Sequence, residues 1–161
     1  MQSKADLEDW YVTKDPWGYE TNPHDTFRLQ TILEELKAHT PSGGFKRALD
    51  VGAGEGWLTQ YLPAKHIDAI ELSDRAASRF PKNVHRVSEP EGSYDLIIAT
   101  GVLYPQYDWQ SLINILKCST RTILTCNISD WELGLEQLGT PDVKLYFPYR
   151  HYTEHLAIFN I

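Results

Sequence analysis

Asp50, Gly52, Gly54, Gly56 and Glu71 are the residues whose types and spacing point to chemistry in this chain. The apolar run of Ala48, Leu49 and Val51 carries a single acid, Asp50, and then breaks into glycines at alternate positions. That pattern predicts a buried strand turning sharply toward a helix. Glycine is needed where the backbone takes a positive φ or must let a ligand come close. About nineteen residues after Gly52, a second apolar strand over residues 67–72 carries an acid, Glu71. A carboxylate placed there takes both hydroxyls of a ribose, by the logic of the dinucleotide fingerprint. Together these residues predict a pocket for a nucleoside-bearing cofactor at the carboxyl ends of parallel strands.

A dinucleotide site wants G-x-G-x-x-G, whose third glycine packs helix on strand and whose helix N-terminus faces a pyrophosphate. Here that third place is Trp57, and no Gly-Lys-Ser/Thr follows, so a phosphate-gripping P-loop is excluded as well. The pattern D-x-G-x-G-x-G over residues 50–56, with its later acid, resembles the class I S-adenosylmethionine (SAM) methyltransferases. The resemblance implies SAM as cofactor and a Rossmann-like sheet, mostly parallel, with a C-terminal antiparallel hairpin. It also implies a set of contacts. The loop N–H groups of Gly52, Ala53, Gly54 and Gly56 meet the methionine carboxylate, and Asp50 with nearby carbonyls meets the ammonium. Glu71 and Leu72 flank the nucleoside. Ser88 or Glu89 stands in for the family's adenine-binding acid, or adenine is held by backbone and apolar contacts. Thr100, Gly101, Val102 and Leu103 form the inner wall, with Tyr104 facing the methyl group.

The segments DPWGYET at 15–21, GAGEGWLTQYL at 52–62 and GVLY at 101–104 extend the likeness. They resemble the nodulation-type (NodS-like) N-methyltransferases over roughly residues 15–125. That family acts on amino-sugar acceptors, and its N-terminal segment folds over the cofactor as a lid. This chain departs from the pattern at Gly101, where an acid often stands, in a shorter loop after the third strand, and near the tail. Those departures bear on the acceptor more than on the cofactor. Trp17 and Tyr19 either pack the lid on the sheet or line the sulfonium site, where a cation–π contact contributes roughly 0.5–2 kcal/mol. Candidate catalytic residues are Tyr104 and His24, with His151, Asp15 and Glu20 as further candidates for a base. The alternative for Tyr104 is a wall, and for His24 a solvated first-turn residue.

The elements must position these residues, and 161 residues suffice for one domain with a single core. We expect a lid segment and helix over residues 1–45 and a core over 46–161. Asn22 caps a helix that opens with Pro23 and carries its apolar face on Phe27, Leu29, Ile32, Leu33 and Leu36, ending before Pro41. Trp57, Leu58, Tyr61 and Leu62 predict a helix closed by Pro63. A short helix over 74–80 follows the second strand, with Ser73 as its cap. Further strands are expected at 84–87, 94–100 and 122–126, and a helix on Leu112, Ile113, Ile115 and Leu116. Trp131, Leu135 and Leu138 suggest one more helix, and 144–149 with 152–159 a hairpin. In that fold the link from third to fourth strand crosses about three spacings of ~4.8 Å. Six residues, each reaching at most ~3.5 Å, only just span it, so no helix fits there.

The net charge of −7, with Lys and Arg scattered, argues against a polyanionic partner, and no nucleic acid is expected. The expected partner is a small-molecule or carbohydrate-like methyl acceptor; the oligomeric state is left open. Apolar runs are too short for a membrane span, and MQSKADLEDW is no signal peptide. Cys118 and Cys126, without a CxxC pairing, suit a reduced cytosol, hence a cytoplasmic protein. His151 and His155 can share a strand face, but no metal site is expected. The rival readings are a non-catalytic SAM-binding sensor or partner subunit, and a nicotinamide-dependent oxidoreductase using Glu71 on the ribose.

Overall fold

In the computed structural model, which describes residues 1–161, seven strands lie in one sheet. They are β1 (Phe45–Val51), β2 (Ala64–Ile70), β3 (Val84–Arg86), β4 (Tyr94–Thr100), β5 (Ser119–Ile128), β6 (Val143–Tyr149) and β7 (Tyr152–Asn160). Their spatial order is β3-β2-β1-β4-β5-β7-β6. The first five pair in parallel, while β7 runs antiparallel to both β5 and β6. This is the expected α/β sheet with its C-terminal hairpin.

The central strands read as nearly unbroken apolar runs because both faces of the sheet are covered. Successive residues alternate between the faces. Ala48, Ile98, Leu124 and Ile158 pack with Ile32 and Leu36 of α2 (Pro23–His39). Leu49, Val51, Ile97 and Phe159 pack on the other side with Ile113 and Leu116 of α4 (Trp109–Leu116). Each buried Val, Ile, Leu or Phe among them contributes about 1.5–3 kcal/mol. Asn22 caps α2 by accepting the His24 N–H, and Asp108 caps α4 by accepting that of Ser111. No helix is long and apolar enough to cross a membrane.

Four local expectations need correction. The helix expected from Trp57 to Leu62 is a single 3-10 turn, Thr59–Tyr61, because Gly56 at φ +79° and Pro63 leave too little chain between them. The helix suggested by Trp131, Leu135 and Leu138 is likewise a 3-10 turn, Leu135–Leu138, bracketed by Gly134 at φ +83° and Gly139 at φ +92°. The helix α3 (Asp74–Ala77) stops short of Phe80, which precedes Pro81 and is pushed out of the helical region. An unanticipated helix, α1 (Lys4–Trp10), opens the chain with a capping box between Ser3 and Asp6. Between β3 and β4 the chain crosses under two strands without a helix, and β3 is only three residues long.

Candidate functional site

β1 is followed by β2 on one side and β4 by β5 on the other, so a crevice opens at the carboxyl ends of β1 and β4. The glycine turn fills its near wall. Gly52, Gly54 and Gly56 sit at φ +78°, +58° and +79°. The N–H groups of Gly52 and Ala53 both donate to the Ile70 carbonyl, at 2.8 and 3.1 Å, tying the turn to the end of β2. A Cβ on Gly52 would come within 2.5 Å of Val102 Cγ1, and one on Gly54 within 2.9 Å of the Tyr11 hydroxyl. The turn therefore touches the chain beyond β4 on one side and the N-terminal segment on the other.

Glu71 is 8 % exposed. Its Oε2 accepts the Gly54 N–H at 2.9 Å and its Oε1 the Ser73 N–H at 2.8 Å. Burial raises its pKa, and those two bonds oppose the rise. Each oxygen keeps a second lone pair, so two ribose hydroxyls can be accepted without giving up either backbone bond. Leu72, just beyond, exposes its apolar side chain, as an adenine face requires, and Ser88 is exposed at the end of β3. Asp50 faces the α2 side, where the Thr59 hydroxyl donates to Oδ2 at 2.6 Å. Its Oδ1 is buried with no partner, and burial pushes the carboxyl up to about 7. An orphaned acceptor here suits an ammonium group. The turn, Glu71, Leu72 and Asp50 thus fit an adenosyl amino acid.

Thr100 closes β4 opposite Cys126, and Gly101 follows at φ +70° with the Arg28 guanidinium 3.6 Å from where its Cβ would be. Val102 and Leu103 donate their N–H groups to one acceptor, Asn127 Oδ1, at 3.1 and 3.2 Å. Asn127 Nδ2 donates in turn to Glu132, whose other oxygen lies 2.6 Å from His155 Nδ1. Neither Asn127 nor Glu132 was anticipated; the available signal was a polar residue inside the apolar run of β5. Beneath the turn, Arg28 pairs with Glu154 at 3.3 Å and donates to the Cys126 carbonyl at 3.2 Å, all three residues being buried. Burial works to lower the Arg28 pKa, but the Glu154 carboxylate prevails and holds it well above the usual value.

The catalytic candidates fare differently. The Tyr104 hydroxyl accepts the Ile128 N–H at 2.9 Å, and burial raises its pKa, so the phenol keeps its proton. Its ring stacks on Tyr107 and meets Trp131 edge-on, and Trp131 leans on Tyr152, with centroids 6.4, 5.8 and 4.8 Å apart. His24 is exposed on the first turn of α2 and is not brought to this group. Trp17 stacks on Trp10 at 4.9 Å and donates its Nε1–H to the Tyr11 hydroxyl at 3.4 Å. Its carbonyl accepts from Arg150, which also pairs with the buried Asp25. Tyr19 stacks on Trp57, and burial pushes its hydroxyl up to about 12.

A family model described as a methyltransferase domain matches residues 18–159. The fold is similar to N-methyltransferase NodS from Bradyrhizobium japonicum WM9 in complex with S-adenosylhomocysteine. The TM-score is 0.80 at 18% identity, covering 98% of this chain and 97% of that one. Magnesium protoporphyrin IX methyltransferase from Synechocystis PCC 6803 with bound SAM gives a TM-score of 0.74 at 13% identity, covering 99% and 97%. At such identities the likeness is one of fold. The tRNA1(Val) (adenine(37)-N6)-methyltransferase of Escherichia fergusonii is 30% identical over 93 residues, 44% of this chain and 38% of that protein. The chain thus matches well under half the length of such curated relatives. This last match overturns the expectation that no nucleic acid is involved. A net charge is a sum over the whole surface and does not set the potential at one crevice.

Proposed function

This chain belongs to the methyltransferase-domain family, and on that premise we propose that it methylates a ring-bearing small-molecule acceptor, carbohydrate-like, with an amino nitrogen as the attacking atom. It is an S-adenosylmethionine-dependent methyltransferase, which sets aside the nicotinamide alternative. Bound there, SAM supplies a methyl carbon open to in-line attack and retains the sulfur–carbon electron pair. Glu71 orients the ribose, the glycine turn lets the amino-acid end approach the backbone, and Val102 walls the pocket. The protein's work is positioning and exclusion of water rather than covalent chemistry.

The acceptor class rests on one observation, the contiguous aromatic series Tyr107, Tyr104, Trp131 and Tyr152, in which Tyr104 is buried and Trp131 and Tyr152 are exposed. Rings of this kind stack on the apolar faces of a sugar. Their flanks carry the exposed acids Asp108 and Asp130, and no Lys or Arg occurs in residues 100–116 or 126–138. The nearby cation, Arg150, is already paired with Asp25. That balance favours a neutral or amine-bearing ring.

A second reading, an adenine nitrogen of tRNA, is favoured by the curated relatives. Aromatic rings stack on bases as readily. Transfer of labelled methyl groups to a panel of amino sugars and to total tRNA, at low and at physiological salt, decides between them. Label in the sugars supports the first reading. Label confined to tRNA, falling steeply with salt, replaces it with the second.

A further inference from the structure

The N-terminal segment lies directly on the glycine turn, and one ion pair holds it there. Glu55, inside the turn, accepts the Asp15 N–H at 2.9 Å on one oxygen and the Arg79 guanidinium on the other. Arg79 reaches on to two carbonyls of the same segment, Tyr11 at 2.9 Å and Thr13 at 3.3 Å. One guanidinium and one carboxylate thus fasten three points of residues 11–15. The pair is largely shielded, with side-chain exposures of 28 % for Arg79 and 13 % for Glu55.

This end of the strap is also held by the Trp10–Trp17 stack, by the Trp17 Nε1–H bond to the Tyr11 hydroxyl and by α1. α1 meets α3 through Lys4–Asp74 and Glu8–Arg75, in which three of the four side chains are more than half exposed, and Glu8 also accepts the Asp74 and Arg75 N–H groups. Such surface pairs contribute at most about 1 kcal/mol. Beyond residue 15 the chain has its own joint, with Asp15 at φ +46° and Gly18 at φ +71°, and Arg150 grips the Trp17 carbonyl on its far side. The strap is therefore fixed near residue 17 and fastened down at residues 11–15. Tyr11, 6 % exposed, places its hydroxyl over Gly54, closing the turn from this side.

We propose that Arg79 and Glu55 are the latch of this strap, positioning residues through which the cofactor enters and its demethylated product leaves. The inference rests on the SAM reading of the crevice. With the latch closed, Tyr11 seals the turn. With it broken, residues 11–15 lift about the joint at Asp15 and Gly18 while Trp17 stays tied to Arg150.

The test is the dissociation rate of labelled S-adenosylhomocysteine from the wild type, Arg79→Gln, Arg79→Lys and Glu55→Gln. We expect Arg79→Gln and Glu55→Gln to release it at least tenfold faster, and Arg79→Lys to recover part of the difference. Rates within twofold of wild type in both would overturn the latch. Trypsin cleavage after Lys14 in ligand-free protein provides a readout that needs no cofactor. Arg79→Gln should be cut there several-fold faster than wild type, and equal rates would again overturn the proposal. A wild type that binds no S-adenosylhomocysteine, yet shows the difference at Lys14, would instead sink the SAM reading and leave the latch standing.

Discussion

Two carboxylates line the proposed cofactor pocket, and their surroundings give them different behaviour. Glu71 is held by two backbone N–H groups with lone pairs to spare, so it serves as a fixed acceptor. Hydrogen bonds to a charged group contribute about 1.5–3 kcal/mol each. Glu71→Ala, which removes the acceptor of two ribose hydroxyls, should therefore weaken SAM binding at least about 100-fold by calorimetry; an unchanged affinity would remove Glu71 from the site. Asp50 is a buried acid whose pKa rises from 3.8 to about 7 on folding. The unfolded chain gives up this proton first, so stability falls as pH rises between about 4 and 7. Asp50→Asn should melt higher than wild type at pH 8 and nearly level with it at pH 4. A variant that melts lower at pH 8 would show that the ionised carboxylate is needed by the fold.

At the scale of elements, the buried Arg28–Glu154 pair joins α2 to β7 beneath the crevice. Removing one member strands the other, a loss of about 3–5 kcal/mol. Glu154→Leu should fall in that range by chemical denaturation, and adding Arg28→Met should restore most of it. Additive losses would mean that the two side chains act separately. The central strands were legible in the sequence because their apolar runs are nearly unbroken, and β4 has the bounds its pattern predicts. The N-cap of α2 was legible from Asn22-Pro23. α1 was not, because only Leu7 of its seven residues is buried and no apolar face repeats. Its capping signal, Ser3 with Asp6, was nonetheless in view. The glycine turn and Glu71 announce a pocket by residue type. Asn127, Glu55 and Arg79 do not, since their roles come from partners 24 or more residues away along the chain.

Taken whole, the molecule puts the two proposed recognition surfaces at one end of one sheet, the glycine turn and Glu71 beyond β1 and β2 and the aromatic series beyond β4, β5 and the start of β7. The strap crosses between them, from Glu55 to Arg150. Ligand that binds only the folded chain raises stability by about 2.7 kcal/mol at a hundredfold excess over Kd. For a domain of this size, that is a rise in Tm of roughly 5–11 °C. S-adenosylhomocysteine should produce such a shift in wild type and a much smaller one in Glu71→Ala. An equal shift in both would place the ligand elsewhere. The stacked indoles of Trp10 and Trp17, 4.9 Å apart and 22° from parallel, give the strap one more property. Chromophores that close share their excitation, so the fastened strap carries an exciton couplet in circular dichroism. Any motion that parts α1 from Trp17 extinguishes that couplet, and the protein thereby reports its own opening in polarised light without an attached dye.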